Sequence, residues 1–324
     1  QINQMQFYKN FEFIEYNIPT SIFGIFTGKN KILDSLVKKN NIQVVFSIFG
    51  PVYWKPKVRH VCGYAKPQYV YKDSPFFNGL DFKSKVILSI KEFIHMWDFK
   101  KNNDTIITEN PDVSQRLFKI LKGKEIHTVT NYYNQLFDFF EPNYIEKIQN
   151  LKGLKLLTIA ANYPHKNLQI IPSVINYLNK NYPNFNFTFI LTIDKSELEL
   201  SQEQSKHVLF IGKVNIIDCP NLYFNSDFLF LPTLLECFSA SYCEAMKMSK
   251  PILTSNLNFA KGICVDSAMY FNPISEKSIG DTIYDLSFDL IMQKKLIIKG
   301  NQRLKSFDNS EQRANKYLKI ITNG

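Results

Sequence analysis

Apolar residues along this chain fall into short blocks of two kinds. Runs of five to nine residues, apolar throughout or alternating, and mostly closed by Gly, Pro or Asn, read as strands: Phe11–Ile18, Ile42–Phe49 ahead of Gly50-Pro51, Thr105–Glu109, Ile126–Thr130 ahead of Asn131, Lys155–Ala160, Phe185–Ile193, His207–Ile211 ahead of Gly212, and Asp227–Leu231 ahead of Pro232. Between them lie stretches with helical spacing: Lys31–Lys39, Ser84–Lys100 with Phe93 and Trp97 expected to face inward, Asp112–Lys122 behind Pro111, Asn167–Tyr182 and Glu311–Ile321. Residues 52–71, with Pro56 and Pro67, read as loop. Alternation of strand and helix predicts parallel, doubly wound sheets, hence an α/β chain.

At 324 residues the chain exceeds what one hydrophobic core usually serves, so two domains are expected. The mixed segment 131–153 reads as the connection. It divides a domain over 1–150 from a second over 151–305, with 306–324 as a final helical segment.

Composition narrows the class. No apolar run approaches the roughly 18 residues needed to span a bilayer, and neither a transmembrane helix nor a signal peptide is expected. Five cysteines, Cys62, Cys219, Cys237, Cys243 and Cys264, show no C-x-x-C spacing, which argues against a disulfide framework or zinc site and for a reducing cytoplasm. The net charge is +10, but the lysines are scattered and form no nucleic-acid-reading motif. A diphosphate-bearing substrate or an anionic membrane surface accounts for the same charge.

The stretch carrying most chemistry is Leu231–Met246, LPTLLECFSASYCEAM. It reads as a strand end, a loop holding Glu236, and a helix capped by Ser239 or Ser241 that carries Glu244. The loop and the free N–H groups of the helix start then share the carboxyl edge of a parallel sheet, where ligands bind and where a phosphate suits a helix N-terminus.

This arrangement resembles the E-x7-E signature of retaining nucleotide-sugar glycosyltransferases of family 4, and PTLLECFSASYCEAMKMSKPILTS is similar to that family's whole strand–loop–helix–strand segment. FAKGICVDSAMYFNP further on, and the TEN and VTN strand ends, extend the likeness. The resemblance implies the GT-B fold, two Rossmann-like domains facing across a cleft, with an amino-terminal domain that starts one βα unit late and a last helix packed back on it. It also implies roles. Lys166 would bind phosphate, with His165 or Asn162 supplying part of the contact of a family arginine whose positions here are Ala160 and Ala161. Glu236 would meet the donor sugar, backbone around Cys237, Phe238, Ser239 and Ala240 would meet sugar and phosphate, Glu244 would accept from the ribose, and Gly212 would flank the base. His60, placed with Arg59 and Trp54 at a ligand-facing edge, is either an acceptor-side helper or a structural imidazole. The nucleoside-diphosphate sugar is a substrate, so no separate cofactor is expected. No D-x-D pair occurs, and no metal is expected. The acceptor would be a saccharide or lipid-linked saccharide in cell-surface polysaccharide synthesis, at the inner face of the membrane.

Other enzymes fit less well. A dehydrogenase would carry G-x-G-x-x-G after a strand and an α/β-hydrolase G-x-S-x-G, and neither occurs. A nucleotide-sugar epimerase of the same fold and a silent sugar-nucleotide-binding protein remain as alternatives.

Overall fold

The computed structural model describes Glu15 and residues 22–322, so the Phe11–Ile18 strand lies almost wholly outside the described residues. The first half begins with α1 (Ile22–Thr27) and α2 (Lys31–Lys39), the latter capped by Asn30, whose side chain accepts from the N–H groups of Ile32 and Leu33. There follow β1 (Val44–Ser47), β2 (Arg59–Gly63), α3 (Phe82–Asn102), β3 (Thr105–Thr108), α4 (Pro111–Ile120) and β4 (Glu125–Thr128). The four strands pair in sequence order, all parallel.

Strand β2 corrects the loop reading of residues 52–71. Its five residues, RHVCG, lack the apolar run of a buried strand, yet they carry the centre of the sheet between β1 and β3. Gly63 makes the close passage possible, because a Cβ there would stand 1.8 Å from the Ile48 carbonyl oxygen. Phe93 is also corrected. It faces solvent, while Asp98, Phe99 and Asn102 form the buried face of α3.

After α5 (Glu146–Gln149) the second sheet is built from β5 (Leu154–Thr158), α6 (Ile171–Asn181), β6 (Phe187–Leu191), α7 (Gln202–Ser205), β7 (Val208–Phe210), α8 (Cys219–Phe224), β8 (Phe228–Leu231), α9 (Ala240–Lys247), β9 (Ile252–Ser255), α10 (Asn258–Cys264) and β10 (Met269–Phe271). Helices α11 (Glu276–Phe288), α12 (Leu290–Leu304) and α13 (Ser310–Thr322) complete the chain. The order is β10-β9-β8-β5-β6-β7, parallel throughout. Winding therefore reverses between β5 and β8, the topological switch point at which such sheets bind ligands. Every residue of β6, β8 and β9 is buried, as expected of strands covered on both faces.

Helix α13 returns to the first sheet. Arg59 donates to the carbonyls of Ile320 (2.6 Å) and Ile321 (3.0 Å), and Tyr317 meets Phe46 with ring centroids 5.4 Å apart. Among the described residues no helix is long and apolar enough to cross a membrane.

Candidate active site

Pairing of β5 with β8, Leu156 beside Phe228 and Leu157 beside Leu229, brings out the loops that follow them side by side. The β5 loop ends in a single 3-10 turn, Pro164–Lys166, and Asn167 then takes a left-handed conformation at φ 57°. The Asn167 amide donates to the carbonyls of Pro232 (3.1 Å) and Pro273 (2.9 Å), and the Leu234 N–H donates to the His165 carbonyl at 2.7 Å. So stitched, the two loops set the Lys166 ammonium against Glu236 Oε1. Both side chains are about five-sixths buried. Burial raises the Glu236 carboxyl above its ordinary range, and the Lys166 charge opposes that shift.

Glu236 opens onto a cavity of about 440 Å³ between the two halves, and Lys166 stands behind it, outside the residues that line the cavity. His165, Leu235, Glu236, Cys237 and Phe238 form one wall, while Lys66, Gln68, Phe76, Leu88 and Glu109 form the other. Both walls stand at carboxyl edges: Lys66 and Gln68 follow β2, Glu109 follows β3, and the opposite residues follow β5 and β8. Ser74 Oγ donates to the Leu234 carbonyl at 2.6 Å and Asn110 Nδ2 to the Cys237 carbonyl at 3.1 Å. The first half therefore holds the Glu236 loop directly. Glu109 is raised by burial and restrained by Arg313 of α13, which donates to it at 3.2 Å.

His165 is pushed down to about 4, by burial first and then by the Lys166 charge, so its imidazole is neutral near pH 7. Asn162, the other residue considered for the missing arginine contact, turns its amide to the Glu197 carbonyl. Cys237 lines the cavity, and burial holds its thiol well above its usual range.

Ser239 is the N-cap of α9 without a side-chain hydrogen bond, so the cap side chain occupies none of the first N–H groups of the helix. Glu244, one turn further on, is buried and accepts from the Tyr223 hydroxyl at 2.8 Å. It is not among the residues lining the cavity. Burial raises its carboxyl, and the tyrosine bond partly offsets this. Gly212 has φ +77° and donates to the Ile193 carbonyl at 3.2 Å, a conformation that glycine adopts at low cost.

His60 is corrected. It lies early in β2, away from the edge where Lys66 and Gln68 emerge, and is 1% exposed. Its Nδ1 meets the Asn102 carbonyl at 2.7 Å and its Nε2 the Ser47 hydroxyl at 2.8 Å. A carbonyl only accepts, so Nδ1 donates and Nε2 accepts from Ser47; burial favours this neutral ring. His60 is a satisfied structural imidazole. Arg59 and Trp54 are likewise turned away from the cleft, Arg59 onto α13 and Trp54 Nε1 onto Asp34 at 3.0 Å. Sequence reasoning missed Lys66, Gln68, Asn110 and Arg313 as parts of the site. Glu109 and Asn110 stand in the TEN strand end whose family likeness was visible, but no local pattern marks Arg313, which arrives from 204 residues away.

Two parallel-sheet α/β halves meeting at a cleft define a GT-B architecture, and known structures agree. Sucrose-phosphate synthase from Thermosynechococcus elongatus superposes with a TM-score of 0.68 at 16% identity, covering 89% of this chain and 75% of that one. A glycosyltransferase from Rickettsia africae ESF-5 gives 0.67 at 16% identity, covering 96% and 84%. Residues 141–303, half of the chain, match the family described as glycosyl transferases group 1, and the chain belongs to that family. The O-antigen chain mannosyltransferase RfbU of Salmonella typhimurium (strain LT2) is 23% identical over 219 residues; the match takes in 65% of this chain and spans 55% of the relative.

Proposed function

We propose that the protein is a retaining glycosyltransferase that moves a sugar from a nucleoside-diphosphate sugar to a saccharide or lipid-linked saccharide in cell-surface polysaccharide synthesis. The observation carrying this reading is the Lys166–Glu236 pair at the switch point, just ahead of α9, with Glu236 on the cavity wall that faces the first half. An ammonium has three donors. One is held by Glu236, so two can meet the donor's diphosphate, assisted by the N–H groups of Ser239 and Ala240 and by His165. Glu236 accepts from sugar hydroxyls, Glu244 from the ribose, and Gly212 leaves room at the base.

As the bond between the anomeric carbon and the phosphate oxygen breaks, negative charge collects on the diphosphate, where Lys166 and the helix start stabilise it without rearrangement. The acceptor oxygen bonds to the anomeric carbon on the face just vacated, and its proton passes to the departing phosphate oxygen. No protein base is required, which agrees with the withdrawal of His60 from the cleft, and the reading needs no metal or cofactor. Five buried, unpaired cysteines suit a reducing, cytoplasmic setting.

The test is to incubate the protein with a panel of nucleotide sugars and saccharide acceptors and to follow the product by proton NMR. The reading expects acceptor-dependent release of nucleoside diphosphate and a product keeping the donor's anomeric configuration. An inverted product would end the retaining assignment, and binding without turnover would favour a silent sugar-nucleotide-binding protein.

A further inference from the structure

The longest helix, α3, turns an apolar ridge to solvent. Phe82, Val86, Ile90 and Phe93 are 83, 42, 56 and 69% exposed, and spacings of four, four and three residues set them along one face. The ridge continues at Trp97, whose ring meets that of the half-exposed Phe26 of α1 at 6.1 Å, with Lys101 Nζ 4.3 Å from the Trp97 centroid. Lys83, Lys85, Lys91, Lys100 and Lys101 are exposed on the same helix. Its acids are engaged elsewhere: Asp81 accepts from the Ser84 N–H at 2.6 Å, Glu92 pairs with Lys72, and Asp98 is buried under the N–H groups of Val52 and Tyr53. On the other side of the helix, Leu88 lines the cavity that holds Glu236.

A connected row of large apolar side chains facing water marks an interaction surface. Lysines beside it decide the partner. Their stems lie along apolar surface while the ammonium groups reach outward, and they attract anionic lipid while repelling a second copy of a chain whose net charge is +10. We propose that α3 docks on an anionic lipid bilayer, its ridge in the headgroup–acyl boundary and its lysines on the lipid phosphates. The cavity wall then lies one helix diameter, roughly 10 Å, from the membrane surface. This deepens the proposed transfer reaction by naming the surface from which a lipid-linked acceptor reaches the cavity, and it rests on that reading for the acceptor alone.

Docking is tested by co-sedimentation with vesicles of phosphatidylcholine, alone or mixed with phosphatidylglycerol. The expected result is binding to the mixed vesicles and little to the neutral ones. The pair Ile90→Ser with Phe93→Ser and the pair Lys83→Glu with Lys85→Glu should each lower the partition coefficient about tenfold or more. Both variants should keep the far-ultraviolet circular dichroism and the nucleoside-diphosphate affinity of the parent, so a failure of docking is separable from a failure of the transferase reading. Equal binding to both vesicle types, binding to neither, or unaltered binding by the variants would overturn the proposal. A dimer in light scattering that dissolves on the Ile90/Phe93 substitutions would also overturn it, by assigning the ridge to a second copy.

Discussion

At the scale of single residues, the two acids of the Leu231–Met246 stretch differ in what the fold has done to them. Glu236 has a cationic partner and Glu244 has only the Tyr223 hydroxyl. Burial raises the Glu244 carboxyl in the folded chain, so the folded state binds its proton more tightly than the unfolded state does. The associated stability is fully present below the unfolded value, about 4.3, and is lost as pH rises through the raised folded value. Without ligand, the unfolding free energy from urea titration should therefore decline from mildly acidic to neutral pH, and Glu244→Gln should flatten that decline. The same substitution should weaken nucleoside-diphosphate binding by roughly 1–3 kcal/mol at neutral pH, since an amide replaces a carboxylate acceptor. A variant with the parent's pH slope and affinity would remove Glu244 from both roles. His60 carries the opposite lesson. Sequence shows a histidine near a strand, but only the register with Ser47 and Asn102 reveals that both ring nitrogens are taken.

At the scale of elements, most strands and helices were legible because their apolar spacing matched burial on both faces. β8 and the α9 region fell within a residue or so of expectation, with Ser239 as the N-cap. β2 was not legible, because its polar Arg59 and His60 are satisfied by partners far along the chain and its Gly63 reads locally as a turn. That passage makes a sharp prediction. Gly63→Ala drives a methyl into the Ile48 carbonyl, a backbone contact that cannot swing aside, so β1 and β2 must separate. The variant should lose at least about 3 kcal/mol in urea-induced unfolding, at the upper end for single substitutions; a loss under 1 kcal/mol would refute the close approach. Phe93 failed for a different reason, since helical spacing alone marks an apolar stripe and does not say whether protein covers it.

At the scale of the whole molecule, the two-sheet plan could be read from strand–helix alternation, and the side of the cleft from the position of Glu236. What could not be read is how the halves are tied. Ser74 and Asn110 hold the Glu236 loop from the first half, Asp308 accepts from the Thr130 N–H at 3.1 Å while its own N–H donates to the Thr130 hydroxyl at 2.7 Å, and Arg313 reaches Glu109 and Asn131. These bonds join residues more than 120 positions apart, beyond any local pattern. In the proposed function this assembled cleft holds a nucleoside diphosphate against Lys166. That binding is tested most directly by calorimetric titration of UDP and GDP into the parent and into Lys166→Ala, with circular dichroism verifying that both are folded. At least one of the two should bind the parent, with a loss of about tenfold or more in the variant, the worth of one charge-assisted hydrogen bond. Equal affinity in parent and variant, or no binding of either nucleotide by the parent, would contradict it.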